Sequence, residues 1–529
     1  MATARQMLRR HFGYPDFRPA QAGVVRSVLA GRDTLAVLPT GGGKSICFQV
    51  PALVLGGLTV VVSPLISLMQ DQVAAAAARG IRAACLNSSL SNAERTAVWQ
   101  SLRGGQLRLL YVSPERLDRL APELREAGIR PTLLAIDEAH CIAEWGHDFR
   151  PSYRTLGRAR YRLGRPPTVA LTGSATPEVR DEIARALSFR SRRYVVHLGS
   201  FDRPNLWFGA VRVAGERERR EALLNLLRGD DHMVIVYAPT RNTTEALARV
   251  LTEAGHRAAP YHAGLSKARR AETLDLFLGM RLDVMVATCA FGMGIDQPKV
   301  RMVVHWSLPP TPEAYYQEAG RAGRDGEFAR CVLLWHPGDA RLHRSQLDVT
   351  FPPRRLLERI WLHPSGVNGI PANVLDCAER LRRELHPERG PVDWRPVRER
   401  RKRAEARIGA VEAYARSSSC RRRELVGYFG EKLASCAGCD RCRGANGSSG
   451  IGDAVDVRDP LLWRLERWRA GVALQMGVAP SVVLGDATLG AILRSRPVDR
   501  TALARVAGIG PRVLAKFSDD LLRLLRESA

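Results

Sequence analysis

Along the first two-thirds of the chain, short apolar runs rich in β-branched residues alternate with segments whose apolar positions return every three or four residues. Residues 34–38, 58–63, 107–112, 132–137 and 168–172 each predict a buried strand. Residues 20–30 predict an amphipathic helix before the first of these strands. The rhythm resumes with strands over 232–237, 283–288 and 300–305 and an amphipathic helix over 242–254. Such alternation argues for parallel sheets with helices on both faces, here as two tandem α/β lobes. Beyond residue 345 the pattern becomes helical, over 371–385, 397–415, 461–475, 486–495, 501–506 and 512–526. Residues 341–419 hold little else of note, and a small inserted helical or winged unit fits them. The Gly- and Ser-rich stretch after Arg443 predicts a flexible linker.

Composition narrows the class. A chain of 529 residues, 45% hydrophobic and 25% charged, suits a soluble protein of several domains. No apolar run is long enough to span a bilayer, and residues 1–11 are basic without an apolar signal segment. A cytoplasmic, bacterial, nucleoid-associated protein is expected. The net charge of +26 points to a polyanionic partner, most simply nucleic acid. Codon usage explains the preference for Arg over Lys, but not the excess over Asp and Glu. Of ten cysteines, six are scattered and predict reduced core residues.

The candidate chemistry starts at Leu38-Pro-Thr-Gly-Gly-Gly-Lys-Ser-Ile46, between a strand and a helix. That context suits a phosphate-binding loop. Thr40, Gly41, Gly42 and Gly43 let several N–H groups face one anion, and the helix start adds partial positive charge. Lys44 can reach the β- and γ-phosphates, and Ser45 can hold Mg²⁺. A Gly-rich turn that happens to carry Lys is the plainer alternative. Asp137-Glu-Ala-His140 weighs against it, because a carboxylate ending an apolar strand needs a cation or hydrogen bonds. Mg²⁺ would partner Asp137, and Glu138 would orient and deprotonate the attacking water. Tyr14, Arg18 and Gln21 precede the loop and could stack on a purine and bond its edge. In the second lobe, Arg321 and Arg324 fall on one face if their segment is helical. Two such arginines could serve one phosphate chain across a cleft, or simply form a basic surface.

Cys436, Cys439 and Cys442 form a Cys-x-x-Cys-x-x-Cys run that Cys420 completes. Four thiolates suit a structural Zn²⁺; an iron–sulfur cluster is the minor alternative. Arg398, Arg400, Arg401, Lys402 and Arg403 could follow a phosphate backbone or line a solvated helix face. Gly508-Ile-Gly-Pro511 could form a phosphate-facing hairpin or a packing turn.

Taken in order, Phe12-Gly-Tyr with Phe17-Arg and Gln21, Pro-Thr-Gly-Gly-Gly-Lys-Ser, Asp-Glu-Ala-His and Gln317-Glu-Ala-Gly-Arg-Ala-Gly-Arg-Asp-Gly326 resemble the RecQ family of superfamily-two DNA helicases. Cys141-Ile-Ala-Glu-Trp-Gly-His-Asp-Phe-Arg-Pro-Ser-Tyr153 looks like that family's aromatic-rich loop. Tyr428-Phe-Gly-Glu431 before the cysteine run looks like its zinc module, and the tail resembles an HRDC domain. The resemblance implies RecA-like motor lobes at 1–200 and 201–345, a helical insert and zinc module at 346–443, a linker at 444–456 and an HRDC-like domain at 457–529. It implies an ATP-, Mg²⁺- and Zn²⁺-dependent 3′–5′ DNA helicase of recombination and repair. Its substrates would be single-stranded and tailed or forked duplex DNA, with a single-stranded-DNA-binding protein and other repair proteins as partners.

By the same resemblance Tyr14 and Arg18 sandwich adenine, Gln21 reads its edge, and Trp145, His147, Phe149 and Arg150 meet single-stranded DNA. Thr172-Gly-Ser-Ala-Thr176 departs from the family's usual Thr-Ala-Thr-Ala, with small residues retained. A winged-helix domain of longer family members has no room between zinc module and tail. That motivates a rival, an ATP-driven translocase that separates strands weakly. An RNA helicase and a DNA-binding scaffold with a dead motor are further rivals, disfavoured by the residues above.

Overall fold

The computed structural model describes residues 1–39, 41–87, 90–143, 151–189, 194–228, 232–292, 297–362, 369–436, 438–443, 460–476 and 480–526. The first sheet contains β1 (Asp33–Val37), β2 (Thr59–Val62), β3 (Ala83–Leu86), β4 (Leu109–Val112), β5 (Leu133–Ile136), β6 (Thr168–Thr172) and β7 (Tyr194–Leu198). Their spatial order is β3-β4-β2-β5-β6-β1-β7, and every pairing is parallel. The second contains β8 (Leu206–Arg212), β9 (Met233–Tyr237), β10 (Ala258–Tyr261), β11 (Val284–Ala287), β12 (Val300–His305) and β13 (Ala329–Trp335). It is ordered β10-β11-β9-β12-β13-β8, again all parallel. Strands buried on both faces read as continuous apolar runs, which is why β2, β4, β5 and β6 were legible. Each sheet reverses its strand order beside the strand that leads into a candidate loop, and ligands of such sheets bind at the carboxyl ends there.

The chain passes from one sheet to the other between Leu198 and Leu206, and this connector is built into the core. Phe201 is buried and stacks on Phe429 with ring centroids 4.5 Å apart. The largest apolar cluster runs from Leu35 and Val60 through Phe201 into the second sheet and on to Ile408, Leu425 and Cys439.

Residues 340–416 form helices Ala340–Thr350, Arg354–Leu362, Ala372–Leu385 and Arg395–Arg416, and no strand occurs among the described residues there. The unit is therefore helical rather than winged. Trp361 stacks on Trp394 at 5.5 Å and donates from Nε1 to the Ala378 carbonyl at 3.0 Å. Two of the basic residues considered for phosphate contact are committed to this packing: Arg400 bonds Glu384 at 2.7 Å, and Arg401 bonds Asp348 and the Phe351 carbonyl. Their guanidiniums join helices instead of lining a backbone groove.

The tail forms helices Pro460–Met476, Pro480–Val483, Asp486–Ser495, Arg500–Ala504 and Pro511–Arg526 around Leu465, Ile492, Leu503 and Leu521. Gly508 has φ +89°, and a Cβ there would lie 2.0 Å from Thr488 Oγ1. Close packing thus accounts for that glycine. Among the described residues no helix is long and apolar enough to cross a membrane.

Candidate active site

β1 ends beneath the loop 38–45, and the helix Ile46–Leu55 leaves it with Ser45 as N-cap. The loop turns through Gly41 (φ +78°) and Gly43 (φ +72°), conformations open to glycine at little cost. Gln21 holds this geometry from the preceding helix. Its Nε2 donates to the carbonyls of Gly42 (2.9 Å) and Gly43 (3.2 Å), and its Oε1 accepts from the Arg18 N–H at 3.0 Å. A Cβ on Gly43 would meet Gln21 Nε2 at 2.4 Å. The Gln21 amide, expected to read adenine, is here occupied by the loop itself. Arg18 Nη1 donates to the Gly41 carbonyl at 2.6 Å, while Tyr14 is 54% exposed. Thr40 lies outside the described residues.

The carboxylates follow β5. Glu138 sits at φ 47°, ψ 47°, a left-handed conformation a non-glycine residue adopts only under constraint. It turns the side chain toward Lys44, whose Nζ is 3.3 Å from Glu138 Oε1. His140 Nδ1 lies 3.3 Å from Glu138 Oε2 and 3.0 Å from Thr172 Oγ1. Burial pushes the Asp137 carboxyl up to about 6, and the adjacent Glu138 charge adds to this against Lys44. Burial would also raise Glu138, but Lys44 and His140 outweigh it and hold that carboxyl well below the usual range. Burial disfavours a charged His140, yet the Cys141 sulfur and the Glu138 carboxylate raise it to about 10. Asp137 is a half-buried carboxylate beside a second one, a donor that fits a hard cation such as Mg²⁺.

The second lobe reaches this site. The helix Pro312–Ala319 ends before Arg321 and Arg324, so both lie in a tight turn rather than on the helical face expected. The turn's Gly320-Arg-Ala-Gly323 run cannot continue the helix because Gly323 is at φ +55°, where a Cβ would strike Asn205 Nδ2 at 2.5 Å. The turn brings Arg324 against the phosphate loop: a Cβ on Gly41 would be 3.8 Å from Arg324 Cγ. Arg321 is buried, and a Cβ on Gly292 would be 3.1 Å from its Nη2. Gln317 Nε2 donates to Ser174 Oγ at 2.7 Å, a direct bond between lobes. Ser174 N donates to Thr172 Oγ1 at 3.3 Å, so polar contacts run from Glu138 through His140, Thr172 and Ser174 to the second lobe.

Two residues that the sequence reading passed over hold the arginine turn. Half-buried Arg203 donates to the carbonyls of Gly320 (3.3 Å), Ala322 (3.1 Å) and Gly323 (2.7 Å). Asn205 Nδ2 donates to Gly323 and Glu327 carbonyls, each at 2.8 Å. Their local signal was Phe201-Asp-Arg-Pro-Asn205, a polar cluster directly before a strand. The carboxyl ends of β9 and β10 likewise carry Thr240, Arg241 and His262. His262 is buried, with Nδ1 lacking a hydrogen-bond partner, and a Cβ on Gly264 would fall 3.1 Å from Arg241 Nη1. Trp145, His147, Phe149 and Arg150 lie outside the described residues.

The cysteines converge. The sulfurs of Cys420, Cys436, Cys439 and Cys442 all lie within 4.8 Å of one another, the one such metal-ligating group among the described residues. Tetrahedral Zn²⁺ with Zn–S near 2.3 Å needs sulfurs about 3.8 Å apart, and Cys439 and Cys420 are at 4.0 Å. A hydrogen bond from Cys436 leads in lowering Cys439 to about 4 against burial, aided by the N–H groups of Cys442, Arg441 and Arg421. The donor set fits Zn²⁺. Cys439 bridges Phe208 of edge strand β8, and Asp440 accepts from the Ala210 N–H at 3.0 Å, so the knuckle caps that edge.

Comparison with known proteins agrees with this layout. A DEAD/DEAH box helicase model matches residues 18–183 and a helicase conserved C-terminal domain model residues 218–326. A RecQ zinc-binding model matches 380–443 and an HRDC domain model 459–525. The ATP-dependent DNA helicase RecQ of Synechocystis is 36% identical over 476 residues, covering 83% of this chain and 98% of that protein. The RecQ of Pasteurella multocida is 38% identical over 442 residues, 83% of this chain and 62% of that protein, so the chain spans under two-thirds of this relative's length. In fold alone, the structure of the DUF1998 helicase MrfA bound to DNA is similar, with TM-score 0.52 and 17% identity over 65% of this chain and 53% of that one. With two parallel-sheet lobes, the four-cysteine knuckle and a RecQ relative matched over 98% of its length, the chain belongs to the RecQ family of ATP-dependent DNA helicases.

Proposed function

We propose that the chain is an ATP-dependent 3′–5′ DNA helicase that couples hydrolysis to translocation on single-stranded DNA and to duplex unwinding in recombination and repair. The observation that carries this is Arg324 of the second lobe packed against Gly41 of the first lobe's phosphate loop. A site assembled from two bodies can couple their relative motion to its chemistry.

Gly41–Ser45 would wrap the phosphates, and Ser45 with Asp137 would hold Mg²⁺, which neutralises phosphate charge and fixes its geometry. Lys44 would leave Glu138 for the phosphates, freeing Glu138 Oε1 to accept the attacking water's proton. Arg324, with Arg321 beside it, would stabilise charge in the transition state, and the Arg203–Asn205 cradle keeps their turn in place. Tyr14 and Arg18 would flank the base, and Gln21 would read its edge once released from the loop. On the DNA side, Thr240, Arg241 and His262 at the carboxyl ends of β9 and β10 suit a phosphate backbone. Stacking on Trp145 and Phe149 would tolerate any base, at roughly 1–3 kcal/mol each. The zinc knuckle is structural.

The test is ATP turnover with and without single-stranded DNA. Stimulation by DNA, lost by about 10³-fold in Arg324→Ala with ATP affinity kept, supports the proposal. Turnover stimulated more by RNA, or unaffected by the substitution, refutes it. The translocase alternative keeps one specific support: the zinc-binding match ends at 443 and the HRDC match starts at 459, leaving no room for a winged helix. Cytoplasmic, nucleoid-associated residence and contact with a single-stranded-DNA-binding protein follow from the same proposal.

A further inference from the structure

The stretch Tyr428-Phe-Gly-Glu431 lies between the zinc ligands Cys420 and Cys436, and it touches three parts of the motor at once. Toward the first lobe, Arg180 Nη2 donates to the Phe429 carbonyl at 2.6 Å while its Nε donates to Ala175 at 3.0 Å. Gly430, at φ +82°, passes so close to Pro177 that a Cβ would be 3.1 Å from the proline ring. Toward the connector, the two Glu431 oxygens accept from Ser200 Oγ and the Phe201 N–H, both at 2.6 Å. The Phe429 ring lies flat on Phe201, with an interplanar angle of 4°. Toward the second lobe, Phe429 packs on Tyr316 at 4.9 Å, and Tyr428 OH donates to Glu313 Oε1 at 2.9 Å.

These contacts fall on the elements that carry the interlobe bond. Glu313 and Tyr316 share the helix Pro312–Ala319 with Gln317, one turn before the Arg321–Arg324 turn. Arg180 is on the helix Pro177–Ala186, which begins just after Ser174. Tyr316 OH also donates to the Phe201 carbonyl at 2.9 Å, so connector and helix are locked together. An extra strut joining both ends of a joint and its hinge limits the angles the joint can take. Misplacing a transition-state group by about 1 Å can cost on the order of 10²-fold in rate.

We propose that residues 428–431 form an interlobe clasp that sets the approach of Arg324 to the phosphate loop, with Arg180 and Glu431 as positioning residues. The inference rests on the proposed DNA-stimulated ATPase. Charge-assisted bonds at both ends suit this role, since each fixes direction as well as distance. The zinc then serves to hold the clasp against the motor, beyond closing its own knuckle.

The test uses the full zinc-loaded chain with Arg180→Ala, Arg180→Lys and Glu431→Gln. Zinc content, kcat and KM for ATP on saturating single-stranded DNA, and amide exchange over residues 198–205 are measured. The clasp predicts retained zinc, KM within about twofold, kcat reduced by roughly 10–100-fold, and faster connector exchange. Arg180→Lys, which keeps the charge, should recover kcat to within about threefold of the parent. Unchanged kcat, or kcat lost only together with zinc, overturns the clasp. A parent chain without DNA-stimulated turnover overturns the ATPase reading instead, and connector exchange unaltered by Glu431→Gln then still refutes the clasp.

Discussion

Glu138→Gln should separate catalysis from stability. The side chain sits in a left-handed residue, beside a second carboxylate, in a half-buried site. Moving Asp137 from 3.8 to about 6 costs its ionised form on the order of 3 kcal/mol, burial being the larger part and the Glu138 charge the next. Removing that charge returns roughly 1 kcal/mol, and breaking the 3.3 Å Lys44–Glu138 pair loses about as much. Asp137 remains to face Lys44. Net stability should therefore change by about 1 kcal/mol or less, a melting shift of at most ~4 °C for a domain of this size. ATP turnover should fall at least 10²-fold, because the base is gone.

The pH dependence carries a sign that can be checked. A carboxyl whose folded pKa is raised binds its proton more tightly when folded, so stability falls as pH rises from 3.8 through about 6. Glu138→Gln should flatten that slope. The assay pairs thermal melting between pH 4.5 and pH 7.5 (values chosen to bracket about 6) with steady-state hydrolysis. A drop of more than about 8 °C at neutral pH, or an undiminished slope, would show that Glu138 is a structural anchor and sink the reasoning.

Two further outcomes follow from the same contacts. Arg203→Ala removes the donor to three carbonyls of the arginine turn, so kcat should drop by more than tenfold while ATP binding stays within about threefold; equal losses in both would place Arg203 in nucleotide binding instead. Chelating zinc should lower the melting temperature, since Cys439 and Asp440 cap β8 and the adjoining buried Arg421 bonds Asp440 at 3.1 Å; an unchanged melt would mean the knuckle holds without metal.

What the sequence revealed depended on range. Lys44, Asp137 and Glu138 were legible because each sits within a few residues of a strand end, where local order implies chemistry. The cysteines were legible because three of the four are packed into seven positions. Four of the five strands that periodicity missed, β3, β7, β8 and β10, lie at sheet edges, where one neighbour suffices and apolar runs weaken. β13 was hidden by Arg330 within its run, a charge that is nonetheless buried. The helical face expected of Arg321 and Arg324 failed because tertiary bonds from Arg203 and Asn205 close a turn after Ala319. Gln317 and Ser174 are 143 residues apart, and no local pattern joins them. The same holds for Arg180 and Phe429, separated by 249 positions.

Strand displacement tests the central claim most directly. The duplex carries a 3′ single-stranded tail, and the Lys44→Ala chain serves as control. Displacement that requires ATP and disappears in the control is the predicted result. Folded protein that hydrolyses ATP on DNA yet separates no strands would contradict it and leave a translocase.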